Sequence, residues 1–195
     1  MMKASGIILA GGHSSRMGRD KTLLKANRET LIERTVRVLG EVSDDLVIAS
    51  NNTNKYDLPG VTEVVDIYPE MGPLGGIHAG LLMAKYENSL VVSGDMPFLT
   101  ADLLCYLLQS KQNYDVVVPE FDGKLEPLCA VYSKRCIEPI EACLRSDMRK
   151  VQYLYERVRV YKVHGEKLVK FGDLNKLFFN LNTPADLALA KEFIS

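Results

Sequence analysis

The chain has 195 residues, of which 47% are apolar and 25% are charged, a composition typical of a folded globular protein with a core of its own. Its formal net charge of −1 argues against a general affinity for nucleic acid or for an anionic membrane surface. The apolar run 7–10 near the N terminus is too short for a signal-peptide core or a membrane span, so we expect a cytoplasmic protein.

Short runs rich in Val, Ile and Leu alternate along the chain with longer segments in which apolar residues recur at helical spacing. The short runs, which predict strands, are 5–10, 45–50, 61–65, 89–93, 115–118, 127–132 and 158–163. The segments that predict helices are 29–40, 76–86, 100–110, 134–145, 148–155 and a last helix after Thr183 and Pro184. In 76–86, the side chains expected to face the core are Ile77, Leu81, Leu82 and Ala84. This alternation predicts an α/β fold of one domain, 1–195, in three layers: a mostly parallel sheet with helices on both faces.

The segment that follows the first predicted strand is rich in glycine and in basic residues. Without side chains at Gly11 and Gly12, the backbone can approach a ligand closely, and successive N–H groups of such a turn can surround an anion. Ser14 adds a hydroxyl donor, and Arg16 and Lys21 add positive charge suited to a triphosphate. The glycine spacing fits neither the Walker A loop nor the dinucleotide-binding fingerprint. The segment therefore predicts a phosphate-binding loop of another class.

Two acidic side chains follow predicted strands, at the edge of the sheet where ligands of such folds bind. Asp95 follows the strand 89–93 and is suited to hold Mg²⁺, which takes one or two carboxylates together with phosphate oxygens. Its alternative role is to cap the helix 100–110, although Thr100 also suits that position. Asp66 follows the strand 61–65, and the next helix opens with two glycines, at 75 and 76, so that its positive N terminus is accessible to the same ligand.

Nothing in the sequence points to a covalent intermediate on the protein. The four cysteines form no CxxC pair, and we interpret Cys136 and Cys143, which share one face of a predicted helix, as buried thiols rather than zinc ligands. Neither a Ser-His-Asp nor a Cys-His arrangement stands out. Positioning and charge neutralisation are therefore expected to carry the chemistry.

Four strings resemble the motifs of one family. LAGGHSSRMGRDKTLL, which starts at Leu9, closely resembles the opening loop of the molybdenum-cofactor guanylyltransferase family, and GPLGGI, GDMPFL and NLNTPADL resemble three of its later motifs. The resemblance implies a Rossmann-like nucleotidyltransferase fold of the glycosyltransferase-A type. The nucleotide-binding residues that it implies are Leu9, Ala10, Gly11, Lys21, Asn51, Asp66 and Asp95, with Gly12, Ser14 and Arg16 in the phosphate loop. Lys21 and Asp95 are implied as catalytic, with Asp95 as the ligand of Mg²⁺ or, alternatively, Mn²⁺. Asn52 is the alternative candidate for the base or ribose contact that the resemblance assigns to its neighbour Asn51.

The C-terminal half carries the contacts to a second substrate that the same resemblance implies. The string EPLCAVY from Glu126 resembles a strand under that substrate, and Asn180 and Asn182 would face its pterin. Asn182 or Thr183 could instead cap the last helix. Three basic residues either add positive charge near the pterin or lie on a solvated helix surface: Arg145, Arg149 and Lys150.

The reaction that the resemblance implies is transfer of GMP from GTP to the phosphate of molybdenum–molybdopterin, with release of pyrophosphate. A cytidylyltransferase for molybdopterin, or a nucleotidyltransferase for a sugar or lipid phosphate, is the nearest alternative. A non-catalytic nucleotide sensor or cofactor chaperone is an alternative of a different class. Two glycines after Ala10, and Asp-Met-Pro in place of Asp-Gln-Pro, favour GTP by family likeness. The expected ligands are small molecules, and molybdenum-insertion proteins and molybdoenzyme chaperones are candidate partners.

Overall fold

The computed structural model describes residues 3–11, 21–26, 29–52, 55–183, 185, 186, 188 and 190. Within these residues, eight strands form one sheet and two short strands form a separate hairpin. The sheet strands are β1 (Ser5–Leu9), β4 (Asp45–Ser50), β5 (Val61–Val65), β6 (Asn88–Ser93), β7 (Val116–Phe121), β8 (Lys124–Leu125), β9 (Cys129–Ser133) and β10 (Val160–His164). The hairpin strands are β2 (Lys25–Ala26) and β3 (Glu29–Thr30).

Helices connect most of these strands. The α-helices are α1 (Leu31–Gly40), α2 (Pro73–Met83), α3 (Ala101–Gln109), α4 (Ile137–Arg145), α5 (Gln152–Tyr155) and α6 (Leu174–Leu177). Short 3-10 turns lie at Lys21–Leu23, Lys134–Cys136, Gly165–Lys167 and Val169–Phe171. The described residues after Thr183, which are 185, 186, 188 and 190, are helical.

The strand order β10-β7-β9-β6-β1-β4-β5 makes the sheet mostly parallel, with β8 paired to β7. β1 runs parallel to β4 and β6, β5 runs parallel to β4, and β10 runs parallel to β7. β9 runs in the opposite direction to its neighbours β6 and β7. Because of this reversal, Cys129 at the start of β9 pairs with Val92 near the end of β6. The turn that precedes β9 therefore lies at the same edge as the loops that follow the parallel strands.

Two hydrophobic cores cover the two faces of the sheet. Along β1, Ile8 points into the core that contains α1, α3 and α6, whereas Ile7 and Leu9 point into the core that contains α2, α4 and α5. This alternation follows from the twofold repeat of a strand. β1 is buried along its whole length, and its nearly continuous apolar sequence is what a strand covered on both faces requires.

The predicted three-layer α/β fold with a mostly parallel sheet is confirmed. Thr100 caps α3 as predicted, because its Oγ1 accepts a hydrogen bond of 3.4 Å from the backbone N–H of Leu103. The bounds of α2 differ from the prediction: the helix begins at Pro73 and ends at Met83. The prediction that Leu82 faces the core is wrong, since its side chain is 42% exposed. Among the described residues, no helix is both long and apolar enough to cross a bilayer.

Candidate active site

The loops that follow β1, β4, β5 and β6 meet at one edge of the sheet. Backbone hydrogen bonds continue between them beyond the ends of the strands: the N–H of Ala10 donates to the carbonyl of Ala49 (2.9 Å), and the N–H of Gly94 donates to the carbonyl of Leu9 (3.0 Å). These bonds hold the end of β1 and Ala10, the first residue of the loop that follows it, between the other two loops. The edge is the one predicted to bind a ligand, and it is built on rigid elements.

A cavity of about 660 Å³ opens at this edge on the β4–β5 side. Its volume falls within the range of small-molecule sites. The described residues that line it are Leu9, Gly11, Ala49, Ser50, Asn51, Val65, Asp66, Pro69, Glu70, Gly72, Pro73, Gly76 and Arg149. Apolar and glycine walls with a few polar side chains suit a flat heterocycle together with its sugar.

Asn51 lies directly against the loop that follows β1. A Cβ atom placed on Gly11 would lie 3.0 Å from Oδ1 of Asn51, so a side chain at Gly11 would push the amide away. The neighbouring Asn52 is engaged with Ser50, whose Oγ donates to the Asn52 carbonyl (2.5 Å) and accepts from its N–H (3.3 Å). Of the two asparagines, Asn51 lines the cavity.

The carboxylate of Asp66 packs against the first turn of α2. Its Oδ1 accepts a hydrogen bond of 2.8 Å from the backbone N–H of Tyr68. A Cβ atom on Gly75 would overlap this carboxylate, with 2.8 Å to Cγ, so glycine is required for Asp66 to lie there. Burial raises the pKa of Asp66, while the Tyr68 hydrogen bond and the nearby His78 oppose the increase. Asp66 thus presents a partly desolvated carboxyl group to the cavity.

Asp95 lies in the turn that follows β6. Its Oδ1 accepts a hydrogen bond of 2.6 Å from Oγ of Ser93, and Oδ2 has no hydrogen-bond partner among the described residues. Because Thr100 caps α3, the alternative role of Asp95 as that cap is wrong. The described residues contain no cluster of three or more His, Cys, Asp or Glu side chains that could enclose a metal ion. A single accessible carboxylate oxygen fits Mg²⁺ if phosphate oxygens complete the coordination.

The segment that contains Asn180 and Asn182 lies beside Asp95, because the N–H of Leu181 donates to the Asp95 carbonyl (2.9 Å). The Nδ2 of Asn180 donates to the carbonyl of Phe178 (3.2 Å), and the Nδ2 of Asn182 donates to the carbonyl of Asn180 (3.4 Å). The closing motif and the turn that carries Asp95 therefore lie side by side.

Thr183 caps the last helix. Its Oγ1 accepts from the N–H of Asp186 (3.2 Å), while Oδ2 of Asp186 accepts from the N–H groups of Asn182 and Thr183 (2.8 and 2.7 Å). This reciprocal arrangement is a capping box, in which the acidic residue three positions after the cap completes the exchange. Of the two caps considered for this helix, Thr183 is the one the geometry supports.

The phosphate loop predicted around Gly12, Ser14 and Arg16 lies outside the described residues. Lys21 opens the 3-10 turn Lys21–Leu23, and the structure describes its backbone. The next residue, Thr22, is 6% exposed and packs against the acidic turn. A Cβ atom on Gly94 would lie 3.0 Å from its Cγ2. The turn that carries Lys21 is therefore adjacent to the turn that carries Asp95.

Arg149, which the sequence offered either to the pterin or to a solvated surface, has a side chain that is 54% exposed. It also lines the cavity, together with Asn51 and Asp66. Its Nε donates to Asp147 (2.8 Å) and its Nη1 to the carbonyl of Glu70 (3.4 Å). The hydrogen bond to Glu70 joins the segment after α4 to the loop before α2, and no local sequence signal marks that contact.

The turn before β9, which contains Glu126, contacts the turn after β6. The carbonyl of Leu128 accepts from the N–H of Ser93 (2.9 Å), which joins the turn before β9 to the turn after β6. Burial raises the pKa of Glu126, and the charge of Lys124 opposes that increase. The carbonyl of Pro127 accepts a hydrogen bond of 2.9 Å from the buried hydroxyl of Tyr132. Hydrogen bonds thus hold the turn before β9 beside the turn that carries Asp95.

Comparison with known proteins gives the same family at full length. The sequence model of the MobA-like NTP transferase domain matches residues 6–160. A protein of Pelotomaculum thermopropionicum, named a probable molybdenum cofactor guanylyltransferase, is 44% identical over 191 residues, which cover 98% of this chain and 93% of the relative. The molybdenum cofactor guanylyltransferase of Desulfosudis oleivorans is 35% identical over 196 residues, which cover 100% of this chain and 97% of the relative.

Solved structures agree with these relatives. The crystal structure of molybdopterin-guanine dinucleotide biosynthesis protein A from Archaeoglobus fulgidus superposes with a TM-score of 0.82 at 28% identity and covers 97% of both chains. The 2-C-methyl-D-erythritol 4-phosphate cytidylyltransferase of Thermus thermophilus has a TM-score of 0.74 at 17% identity, with 99% of both chains covered. The second similarity shows that the fold is shared with a cytidylyltransferase.

Proposed function

This chain belongs to the MobA-like NTP transferase family, and we propose that it transfers GMP from GTP to the phosphate of the molybdenum–molybdopterin cofactor. An oxygen of the cofactor phosphate forms a bond to the α-phosphorus of GTP, the bond from that phosphorus to the α–β bridging oxygen breaks, and pyrophosphate leaves. The observation that carries the proposal is the position of the Asp66 cavity beside the Asp95 turn at one edge of the sheet. A nucleoside and its phosphates would span these two features.

Lys21, and Mg²⁺ held by Asp95, would neutralise the negative charge of the reacting phosphates. The turn Lys21–Leu23 packs on the Asp95 turn through Thr22, which supports a joint role for Lys21 and Asp95 at the α-phosphate. Asp95 would hold Mg²⁺, which when bound supplies positive charge for the developing negative charge on the phosphate oxygens. Catalysis of this kind needs positioning and charge stabilisation and no nucleophile from the protein.

Asp66 would distinguish guanine from cytosine. Guanine carries two adjacent donors, N1–H and the 2-amino group, and a carboxylate accepts both. Cytosine offers no such pair: its N3 and O2 are acceptors, which a partly desolvated carboxylate repels. Polar groups of a site that are left without their hydrogen bonds reject the wrong ligand strongly. The position of Asp66 in the cavity wall supports GTP as the substrate.

The second substrate would lie between the turn before β9 and the segment that contains Asn180 and Asn182. Both border the acidic turn, through Leu128 and Leu181 respectively. We also propose that the protein acts in the cytoplasm and that its partners are molybdenum-insertion proteins and molybdoenzyme chaperones.

The test is a comparison of GTP with CTP in the presence of molybdenum cofactor and Mg²⁺, with pyrophosphate release and product mass as readouts. We expect pyrophosphate release with GTP and a product that is heavier by GMP. Preferential use of CTP would instead identify a cytidylyltransferase. Binding of GTP without pyrophosphate release in the complete mixture would identify a nucleotide sensor.

The role of Asp66 is tested with analogues of GTP that each lack one group. ITP lacks the 2-amino group and 2′-deoxy-GTP lacks the ribose hydroxyl. We expect the wild type to prefer GTP over ITP by about tenfold or more in kcat/KM, and Asp66→Asn to lose that preference, because the loss of one charged hydrogen bond is worth about 1.5 to 3 kcal/mol. Asp44→Asn, at the amino end of β4, serves as the matched control. If Asp66→Asn lost the discrimination against 2′-deoxy-GTP and kept that against ITP, Asp66 would bind the ribose and the assignment to the base would fail.

A further inference from the structure

The loop between β4 and β5 is anchored by one acidic side chain. The carboxylate of Glu63 on β5 accepts hydrogen bonds from three consecutive backbone N–H groups, those of Lys55, Tyr56 and Asp57, at 2.9, 3.0 and 3.0 Å. Hydrogen bonds to an ionised acceptor are stronger than those between neutral groups. Glu63 therefore fixes the backbone from which the Tyr56 side chain extends.

The Tyr56 hydroxyl connects two segments of the active site. It lies 2.8 Å from Oγ1 of Thr22 and 3.5 Å from the carbonyl oxygen of Ala10. Either hydroxyl can be the donor in the Tyr56–Thr22 pair, whereas the Ala10 carbonyl oxygen can only accept. Ala10 opens the loop after β1, and Thr22 follows Lys21. One phenol group thus joins the start of the phosphate loop to the turn that carries Lys21.

The opposite side of Thr22 contacts the acidic turn. Its methyl group packs on Gly94, where an added Cβ atom would lie 3.0 Å from Cγ2. Gly94 in turn donates its N–H to Leu9 (3.0 Å) and precedes Asp95. Thr22 is therefore held between Tyr56 on one side and the Asp95 turn on the other, and it is almost completely shielded from water.

We propose that Tyr56 is a positioning residue for the transfer reaction, which holds the Lys21 turn in register with Asp95 through its hydrogen bond to Thr22. The inference rests on the proposed function, because it assumes that Lys21 and Asp95 act together on the phosphates. Charge stabilisation depends on donors and charges that are fixed before the transition state forms. The base cavity does not include Tyr56 among its described lining residues. The loss of the hydroxyl should therefore slow the chemical step and leave the affinity for the base unchanged.

The experiment compares three variants that remove only hydroxyl groups with one matched control. Tyr56→Phe keeps the ring, Thr22→Val keeps the methyl contact with Gly94, and the double variant removes both partners. Tyr161→Phe is the control. Tyr161 lies on β10, at the edge of the sheet opposite β5, and its hydroxyl pairs with Lys167 (2.9 Å). The two readouts are steady-state kinetics with GTP and amide hydrogen exchange of 21–23 without substrate.

We expect each single variant to lower kcat by about tenfold, with KM for GTP changed less than about threefold. The double variant should be no worse than Tyr56→Phe, because the hydrogen bond that Thr22→Val removes is already absent from Tyr56→Phe. Amides in 21–23 should exchange faster in all three, and Tyr161→Phe should match the wild type in both readouts. Thr22→Ser, which keeps the hydroxyl group, should retain most of the kcat that Thr22→Val loses.

Several results would overturn the proposal. Unchanged exchange at 21–23 in Tyr56→Phe would show that the hydroxyl does not hold this turn, whether or not the protein is active. Faster exchange with an unchanged kcat would show that the turn is held but that its position is irrelevant to the reaction. Additive effects in the double variant would show two separate interactions. If the wild type released no pyrophosphate while exchange still responded to Tyr56→Phe, the proposed function would fail and the structural link would stand.

Discussion

Replacement of Gly75 by alanine tests whether the position of Asp66, rather than its presence alone, determines the binding of GTP. The added Cβ atom would overlap the Asp66 carboxylate, with 2.7 Å to Oδ1 and 2.8 Å to Cγ. A side-chain end can move more easily than the backbone of a packed helix. Asp66 would therefore rotate away from α2 and lose its hydrogen bond from Tyr68.

The effects on stability and on binding should differ in size. Alanine in place of glycine within a helix contributes about 0.8 to 1 kcal/mol of stability. The loss of the Tyr68 hydrogen bond, made to a partly solvated carboxylate, costs about 0.5 to 1.5 kcal/mol. These terms nearly cancel, so the free energy of unfolding should change by less than about 1 kcal/mol. If Asp66 binds the base, the loss of that contact costs about 1.5 to 3 kcal/mol and raises KM for GTP by about 10- to 150-fold.

The assay is steady-state pyrophosphate release at varied GTP concentration, combined with urea unfolding of the same samples. Gly40→Ala is the matched control, because the nearest atom to its Cβ would be Leu46 Cδ1 at an unstrained 4.0 Å. In an Asp66→Ala background, Gly75→Ala should have no further effect on KM, since it acts through the carboxylate. A normal KM in Gly75→Ala, or a full additional loss in the double variant, would refute this reasoning.

Three further predictions concern catalysis, acid stability and thiol reactivity. Lys21→Ala and Asp95→Ala should each abolish detectable pyrophosphate release with circular dichroism unchanged, and turnover close to that of the wild type in either would remove the assigned role. The hydrogen bond from Arg159 lowers the pKa of Asp115 below its unfolded value of 3.8. The stability that Asp115 contributes is therefore complete above pH 3.8 and is lost as the pH falls through the folded-state pKa. In urea unfolding, the difference in unfolding free energy between the wild type and Asp115→Asn should shrink over that range. Of the four thiols, we expect the partly exposed Cys105 to react with a thiol reagent in the native protein, whereas the three buried thiols should react only after unfolding. Mass spectrometry that finds one of the buried thiols labelled first would contradict this expectation.

The sequence predicted those features that depend on local patterns. The apolar strands covered on both faces follow from periodicity, and the cap at Thr100 follows from capping chemistry. The loops meet where the strand ends meet, so the residues after β1, β4, β5 and β6 could be assigned to one site before any coordinates.

The features that the sequence missed depend on contacts between distant segments. Leu82 has the spacing of a buried residue, but α2 packs on the sheet and on α4, which leaves that position exposed. Arg149 lines the cavity where its side chain donates to the carbonyl of Glu70, in the loop before α2. The close approach of Asp66 to Gly75 depends on where α2 begins relative to the end of β5. Residue types alone do not fix that distance.

The most direct test of GMP transfer follows the α- and γ-phosphorus atoms of GTP into the products. Wild-type protein is incubated with Mg²⁺, molybdenum cofactor and GTP labelled at either the α- or the γ-phosphorus, and the products are separated. The account predicts that the α label appears in the cofactor dinucleotide, the γ label appears in pyrophosphate, and the two products form in equal amounts. A γ label on the cofactor would indicate transfer of the terminal phosphate, and the absence of any labelled cofactor would contradict nucleotidyl transfer altogether.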